Sequence, residues 1–414
     1  MHSEIKPMSK LEQNGQLIEE ISCSSAEALA ALVQRCNKEG RKLLAAKAQK
    51  LPVSPAQRLS YFLNFDECQK IIDHSRPDLV MSVETGITLK ALQDYLRTQK
   101  QWFPVYLADS NISLMEFINN GDAGALEHAF GEARDLILGM QLVLGSGEII
   151  KCGGKVVKNV SGYDLSKLFC GSKGSLAIPT TAHLRLFALP DEQCTLLIGF
   201  KQIDEAFKFA NELCASALPL SCLEIVKESL LADSSFSPKE LGGQSAVLVC
   251  VQLHGMPSVL SELERELSEL PSLRVGQKEK LEATEAEKFW QFISSPRHFR
   301  NELSCIELAA ATRSLQELCK ELAETFPELS YTARPARNKA KIFFPEKIKQ
   351  EQVIDLIRSI ISRSKSKVIL ALADESFLYK VLSLPEEDLV LNELKHRIKR
   401  EYDPNSVLNP LVSI

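Results

Sequence analysis

Eleven of the 19 glycines in this 414-residue chain fall between Gly121 and Gly174. Glycine is otherwise scarce, and the total lies below the roughly 7% of an average protein. It is placed where the backbone turns at positive φ, or where a neighbour must come closer than a Cβ allows. That neighbour can be a packed strand, or a ligand such as a phosphate held by converging N–H groups. Residues 121–174 therefore read as strand crossings, tight turns or a ligand cradle, and the glycines alone leave that choice open.

The surrounding pattern alternates strand and helix. "QLIEEIS", from Gln16, reads as a strand. Ser24 with Glu27 three residues later is a capping-box signal. Leu29, Leu32, Val33 and Cys36 then share one helical stripe, which Gly40 ends. "KLLAA" reads as the next strand and completes a βαβ unit. A second unit begins with "LVMSVE", a turn at Gly86, and a helix from about Thr88 carrying Leu89, Leu92 and Leu96. Gly145-Ser146-Gly147, between two alternating apolar runs, is a hairpin signal. "AHLRLFAL" closes the region as an alternating strand, and Pro190 marks a boundary.

Beyond Pro190 the style changes. "CTLLIGF", "LSCLEIV" and "SAVLVCVQLHG" read as strands, with a helix at "DEAFKFANELCAS", a Glu-rich helix after Pro257 and a strand near "LRVGQ". A later block over 304–370 mixes strands and helices again. This is an α+β domain resembling split βαβ units. The stretch "LVLNELKHRIKREYDPNSVLNP" reads as a helix ending in a Pro-bearing turn. The expected organisation is a flexible N-terminus over 1–16, a first domain over 17–190, an α+β cap over 191–390, and a C-terminal helix and turn over 391–414.

Length favours two domains over one core. A net charge of −5 carries no footprint for nucleic acid, and the short basic runs at Lys155–Lys158 and Arg397–Arg400 read as solvated faces. The 11 cysteines form no CxxC pair, so neither a zinc ribbon nor an iron–sulfur ligand set is expected. Reduced, buried thiols are the plain reading. The opening "MHSEIKPMSKLEQNGQ" lacks the apolar core of a secretion signal. There is no apolar run of 18 residues to span a membrane. The expectation is a cytoplasmic protein, with peripheral association at the inner membrane through a complex left open. The histidines at 2, 74, 128, 183, 254, 298 and 396 show no metal-ligand spacing, so no metal is expected. His183, on an alternating strand, reads as structurally satisfied, since a lone histidine needs a partner to act. A serine nucleophile elbow is absent.

"GEARDLILGMQLVLGSGEIIKCGGKVVKNVSGYDLSKLFCGSKGSLAIPTTAHLRL", Gly131 to Leu186, resembles the core of the PCMH-type FAD-binding domain of vanillyl-alcohol-oxidase-type flavoproteins. More narrowly it resembles the smaller flavin-family subunit of bacterial glycolate oxidase. The features are an Arg-Asp before a strand, the GxG hairpin, a Gly-Gly pair, Lys-Asn-Val-x-Gly-Tyr-Asp-Leu, and GSxGSL leading into strands. "EYDPNSVLNP" is similar to that family's closing turn. The resemblance implies an α+β fold: a PCMH-type FAD-binding domain of two α+β subdomains over 17–190, with an α+β, ferredoxin-like cap. It implies FAD approached by the backbone of Gly171, Ser172, Gly174 and Ser175 and by the strand carrying Ile178, with Asn159, Gly162, Tyr163 and Asp164 lining the same channel. A dinucleotide diphosphate does need several converging N–H groups. Equally, these glycines could serve hairpins and strand crossings alone.

Two further glycine-rich stretches of the family are changed. No glycine occurs between Gly40 and Gly86, and Lys47 offers a point charge in place of amides. Met115 and Glu116 stand where a Gly-Gly pair is expected, and "AGALE" (Ala123 to Glu127) replaces the following turn. A carboxylate 4 Å from a phosphate charge repels it by roughly 4 kcal/mol at an effective dielectric of 20. Such a site would raise the Glu116 pKa or expel the ligand. No histidine lies between Arg41 and Lys50 for covalent attachment, so any FAD is expected to be non-covalent. Arg334 and Arg337 are the candidates to pair with a substrate carboxylate, or else they occupy a solvated loop. No residue is singled out as catalytic.

Two functions are open. One is a glycolate-oxidase-like, FAD-linked subunit that acts on a small 2-hydroxy acid and passes electrons to a partner. The other is a scaffold that binds FAD weakly or not at all. Either implies a catalytic flavoprotein paralogue or an iron–sulfur subunit as partner.

Overall fold

A computed structural model describes residues 5–13, 16–45, 59–107, 109–155, 164–231, 236, 241, 246–275, 277–294, 303–309, 312–345, a few positions between 348 and 359, 369–373 and 389–409. The fold is α+β, and its first domain is built from two subdomains.

The first subdomain opens with a strand where a flexible leader was expected. β1 (Ile5–Gln13) pairs antiparallel with β2 (Gln16–Cys23). Its exposed side chains explain why no apolar alternation announces it; Met8 is 56% exposed. α1 (Ala26–Glu39) starts one residue later than the capping signal suggested. Ser25, not Ser24, is the N-cap, accepting from the Ala28 N–H at 3.1 Å. The helix ends at Gly40, whose φ of 66° is left-handed. β3 (Leu43–Leu44) and β4 (Tyr61–Asn64) run parallel to β2, giving the order β1-β2-β4-β3. Leu29, Leu32 and Val33 of α1 pack on Ile21, Leu43, Tyr61 and Leu63.

The second subdomain is an antiparallel sheet of order β5-β6-β10-β8-β9: β5 (Ile71–Ser75), β6 (Val80–Glu84), β8 (Ile137–Leu144), β9 (Ile149–Gly153) and β10 (Ala177–Arg185). Between β6 and β8 run α2 (Leu89–Thr98), the short β7 (Gln101–Trp102), which pairs with β11 (Phe187–Ala188), then α3 (Leu114–Asn120), α4 (Glu127–Phe130) and α5 (Ala133–Leu136). The stripe Leu89, Leu92 and Leu96 is buried against the sheet, each side chain contributing about 1.5–3 kcal/mol. The Gly145–Gly147 hairpin joins β8 to β9.

The helix Leu389–Tyr402 ends in a turn that lies against this domain. Asp403, fully buried, accepts from the N–H groups of Val407 (2.8 Å) and Leu408 (2.9 Å) and from Lys399 (2.6 Å). Val407 and Asn409 bond Leu43 on either side, extending the first sheet. A Cβ on Gly145 would sit 2.2 Å from the Asp403 carboxylate, so that glycine serves this contact.

The cap is one eight-stranded antiparallel sheet made of two ferredoxin-like halves. β12 (Glu192–Phe200), α7 (Ile203–Ala215), β13 (Leu220–Lys227), β14 (Val247–Gly255), α8 (Pro257–Glu269) and β15 (Gln277–Leu281) give the order β15-β12-β14-β13. β16 (Leu303–Ala309), the helix Thr312–Thr325, β17 (Ser330–Arg334), β18 (Lys339–Pro345) and β19 (Ile369–Ala373) repeat it as β19-β16-β18-β17. The halves meet at β13 and β17 through Ile225↔Ala333 and Val226↔Thr332. The strand anticipated near 273–277 begins at Gln277, because Pro271 opens a 3-10 turn. α9 (Ala283–Ser294) lies on the sheet face nearer the first domain, where Trp290 and Phe343 share a core with Trp102, Tyr106 and Leu126.

Candidate functional site

The turn into α3 carries Met115 and Glu116, where the resemblance led to the expectation of a Gly-Gly pair. Ser113 caps the helix, and its Oγ accepts from the Glu116 N–H at 3.2 Å. The Glu116 carboxylate reaches back to the Ser113 N–H (2.9 Å) and Oγ (3.0 Å), completing a capping box. Leu114 donates to Ile87 O and Met115 to Thr85 O, both at 2.8 Å, and Phe117 donates to Ser113 O at 3.0 Å. Met115 is 3% exposed and packs into the core beneath α1. Four successive N–H groups thus point at the chain's own oxygens, and a carboxylate already sits at the helix start.

The second turn follows α6 (Ser166–Phe169). Gly171 donates to Ile118 O (2.8 Å), Ser172 to Phe169 O (3.2 Å), Lys173 to Asn119 O (2.8 Å) and Ser175 to Ser172 O (3.0 Å). Gly121, at φ 74°, crosses this turn so closely that a Cβ on it would meet Gly171 Cα at 2.7 Å. Here glycine lets two backbones cross. Asn119 and Ser172 nevertheless keep buried polar atoms, the whole side-chain amide and the hydroxyl, without a partner among the described residues.

Gly171, Ser172, Gly174 and Ser175 therefore gather against the end of α3, while Ile178 is buried beside Val143 within β10 and β8. Asp164 is exposed at the start of α6, where it accepts from Ser166 Oγ. Asn159, Gly162, Tyr163 and Lys47 lie outside the described residues. His183 is held by Ser82 Oγ at 2.9 Å. Burial, with Lys155 and Lys151, lowers its pKa. Burial pushes the Cys23, Cys68 and Cys170 thiols up to about 12, so they are inert at neutral pH.

Arg334 is in no solvated loop, and Arg337 lies half-buried in the turn that follows it. Arg334, 6% exposed at the end of β17, holds Glu224 of β13 (Nε–Oε1 2.5 Å), Glu127 of α4 (3.3 Å) and Asp122 (3.6 Å). Lys341 pairs with Asp122 at 2.6 Å, and Lys339 with Glu132 at 2.8 Å and Glu127 at 3.4 Å. Arg337 donates to the carbonyls of Glu127 and His128. The first domain brings three carboxylates, the first cap half one, and the second half four cations. Burial would raise the Asp122 carboxyl, but Lys341 and Arg334 hold it well below the usual range. Glu132 is likewise lowered by Lys339 against its burial, whereas burial raises Glu224 in spite of Arg334. Sequence reading missed Asp122, Glu127, Glu224, Lys339 and Lys341. "KAKIFF" was the one signal, a basic alternation on a strand.

The cofactor that the resemblance implies needs free amides for its diphosphate. At the two described turns the N–H groups of residues 114–117 and of Gly171, Ser172, Lys173 and Ser175 are engaged within the chain, and Glu116 places a carboxylate at the first. The engaged amides do not fit a diphosphate, and the stretch over 46–58 lies outside the described residues. Among the described residues no group of histidine, cysteine or carboxylate side chains could hold a metal ion, and no helix is long and apolar enough to cross a membrane.

Residues 20–153 match the family model of the FAD binding domain. Glycolate oxidase subunit GlcD of Bacillus subtilis (strain 168) is 26% identical over 213 residues, 51% of this chain and 45% of that protein. A D-lactate dehydrogenase of Archaeoglobus fulgidus is 33% identical over 136 residues, 33% of this chain and 31% of that one. The D-2-hydroxyglutarate dehydrogenase of Xanthomonas citri pv. viticola is 23% identical over 390 residues, 84% of this chain and 78% of that protein. The matches to the first two span less than half of those relatives. Among solved structures, p-cresol methylhydroxylase with substrate bound superposes at a TM-score of 0.70 with 14% identity, covering 96% of this chain and 90% of that one. Alkyldihydroxyacetonephosphate synthase superposes at 0.69 with 14% identity, over 95% and 77%. At that identity the likeness carries the fold.

Proposed function

We propose that the chain, whose residues 20–153 match the FAD binding domain, is a member of the FAD-linked oxidase family of the type built on a PCMH-like FAD-binding domain. It serves as a subunit of an FAD-linked oxidoreductase that oxidises a small 2-hydroxy acid, with electrons passing to a partner. The ordered set from the GxG hairpin to the turn at 171–175, folded into the flavin-type sheet, carries this reading. Relatives named for glycolate, D-lactate and D-2-hydroxyglutarate support the substrate class. The partner is a catalytic flavoprotein paralogue or an iron–sulfur subunit, because the chain's scattered cysteines supply no cluster of their own.

A specific observation favours a second reading of the subunit's role. With the N–H groups of residues 114–117 and of Gly171, Ser172, Lys173 and Ser175 engaged within the chain, FAD is held weakly or not at all, and the chain acts by holding its partner. A stable contact of that kind buries around 1,600 Å². Turnover of glycolate and D-lactate with a dye acceptor separates the two, measured on the purified chain and on the chain co-purified from its source. Flavin absorbance is recorded on both. Turnover only in the co-purified sample, with a colourless isolated chain, supports the holding role. A yellow, active, isolated monomer overturns it and leaves the enzyme reading standing. Inactivity of both samples on every 2-hydroxy acid overturns the substrate class.

A further inference from the structure

We propose that Glu127 is a built-in stand-in for a small carboxylate, closing the guanidinium of Arg334 to any acid from solution. Arg334 can accept a carboxylate side-on through Nη1 and Nη2, the edge that makes paired hydrogen bonds. Nη1 is taken by Glu127 at 3.3 Å, with Asp122 at 3.6 Å, while Nη2 has no partner among the described residues. One donor of the pair is thus occupied by the chain and the other is idle. Glu127 is 1% exposed and is itself fixed: its Oε1 accepts from the Ala123 N–H at 3.3 Å, and its Oε2 also meets Lys339 at 3.4 Å. Glu224 binds the remaining face of the guanidinium through Nε at 2.5 Å. Lys341 and Lys339 are paired with Asp122 and Glu132, while Arg337 is turned to the Glu127 and His128 carbonyls.

The carboxylate comes from the first residue of α4, at the end of the "AGALE" segment. This deepens the reading of the subunit as one that holds a partner rather than turns over acid in its own cleft, and it rests on that reading. Removing the Glu127 side chain should leave a carboxylate-sized space against Nη1, Nη2 and Ala123 N–H.

The experiment is rescue of Glu127→Ala in the full chain by added small anions, followed by thermal unfolding. Glycolate and acetate are expected to raise its midpoint saturably, by about 4 °C at tens of millimolar, a shift of the size that ligand binding gives. The wild type should not move, and Glu127→Ala/Arg334→Met should lose the response. Should Glu127→Ala fail to fold, Glu127→Ser, which also opens the seat, replaces it, and titration calorimetry should then detect glycolate binding that the wild type lacks. The proposal is overturned by an Arg334-dependent glycolate response in the wild type, or by a folded variant that no carboxylate affects. Chloride matching glycolate would overturn the carboxylate assignment. Flavin content is measured separately: FAD retained with a shut seat defeats the holding role and leaves this inference intact.

Discussion

At the scale of single residues, Asp403 shows how much one buried carboxylate can hold. It satisfies two backbone N–H groups and Lys399 while pressing on Gly145, so it ties the C-terminal turn to the β8–β9 hairpin. Asp403→Ala would leave those N–H groups buried and unpaired at about 1–3 kcal/mol each. The expected loss is about 3 kcal/mol, read from the urea midpoint, with Asp403→Asn losing less because its amide oxygen still accepts. A loss under 1 kcal/mol would show that the turn is dispensable to the first domain. The turn was legible in "DPNSVLNP", because proline and asparagine restrict local backbone. Arg334 was not legible. Its partners Glu127 and Glu224 lie 207 and 110 positions away in sequence, and nothing local marks the arginine of "TARPAR" as buried.

At the scale of elements, strands and helices with an apolar stripe could be read, and those whose partner lies elsewhere could not. α1, α2 and the β8–β9 hairpin carry their period or turn residues in their own sequence. β1 carries neither, since it is an exposed edge whose order comes from pairing with β2. α3 was legible only as a departure. Met115 and Glu116 were read as a departure from an expected glycine pair, but the sequence did not reveal that Ser113 and Glu116 build a capping box there. That box supports a seven-residue helix, too short to stand by propensity. Ser113→Ala is expected to cost about 1 kcal/mol, with faster hydrogen exchange confined to residues 114–121. Met115→Gly with Glu116→Gly removes the carboxylate and a buried side chain together. It should cost about 3 kcal/mol through the cavity left by Met115, yet improve FAD retention in equilibrium dialysis. Unchanged or weaker retention in a folded variant would mean that Glu116 is not what limits the cofactor.

At the scale of the whole molecule, the two domains are joined by an apolar core around Trp102, Tyr106 and Trp290 and by the charge-matched cluster beside it. Apolar burial does not titrate, so pH acts on the joint through the cluster and through His254, which packs on Trp102 with its pKa lowered by burial to about 4. Facing Glu132 are Lys339, Arg337 and Arg134, and Glu127 shares Lys339 with it; Asp122 faces Lys341 and Arg334, with Lys173 and Glu307 nearby. Glu132 is lowered from an ordinary 4.5. A carboxyl depressed by folding contributes stability that is complete above its unfolded value and is lost as pH falls through the folded one. Asp122 acts in the same direction. Glu224, raised by burial, acts in the opposite one, so the wild-type curve alone mixes signs. The difference between the wild type and Glu132→Gln isolates one group. That difference should be about 1 kcal/mol at pH 7, since the Lys339 pair is only part-buried. It should stay constant down to about pH 5 and shrink below pH 4 as the wild-type carboxylate takes up its proton. Denaturant midpoints at pH 7, 5, 4 and 3 measure it. A difference that grows with acid would mean that Glu132 is held neutral, and that the cluster is not the set of charges joining cap to first domain.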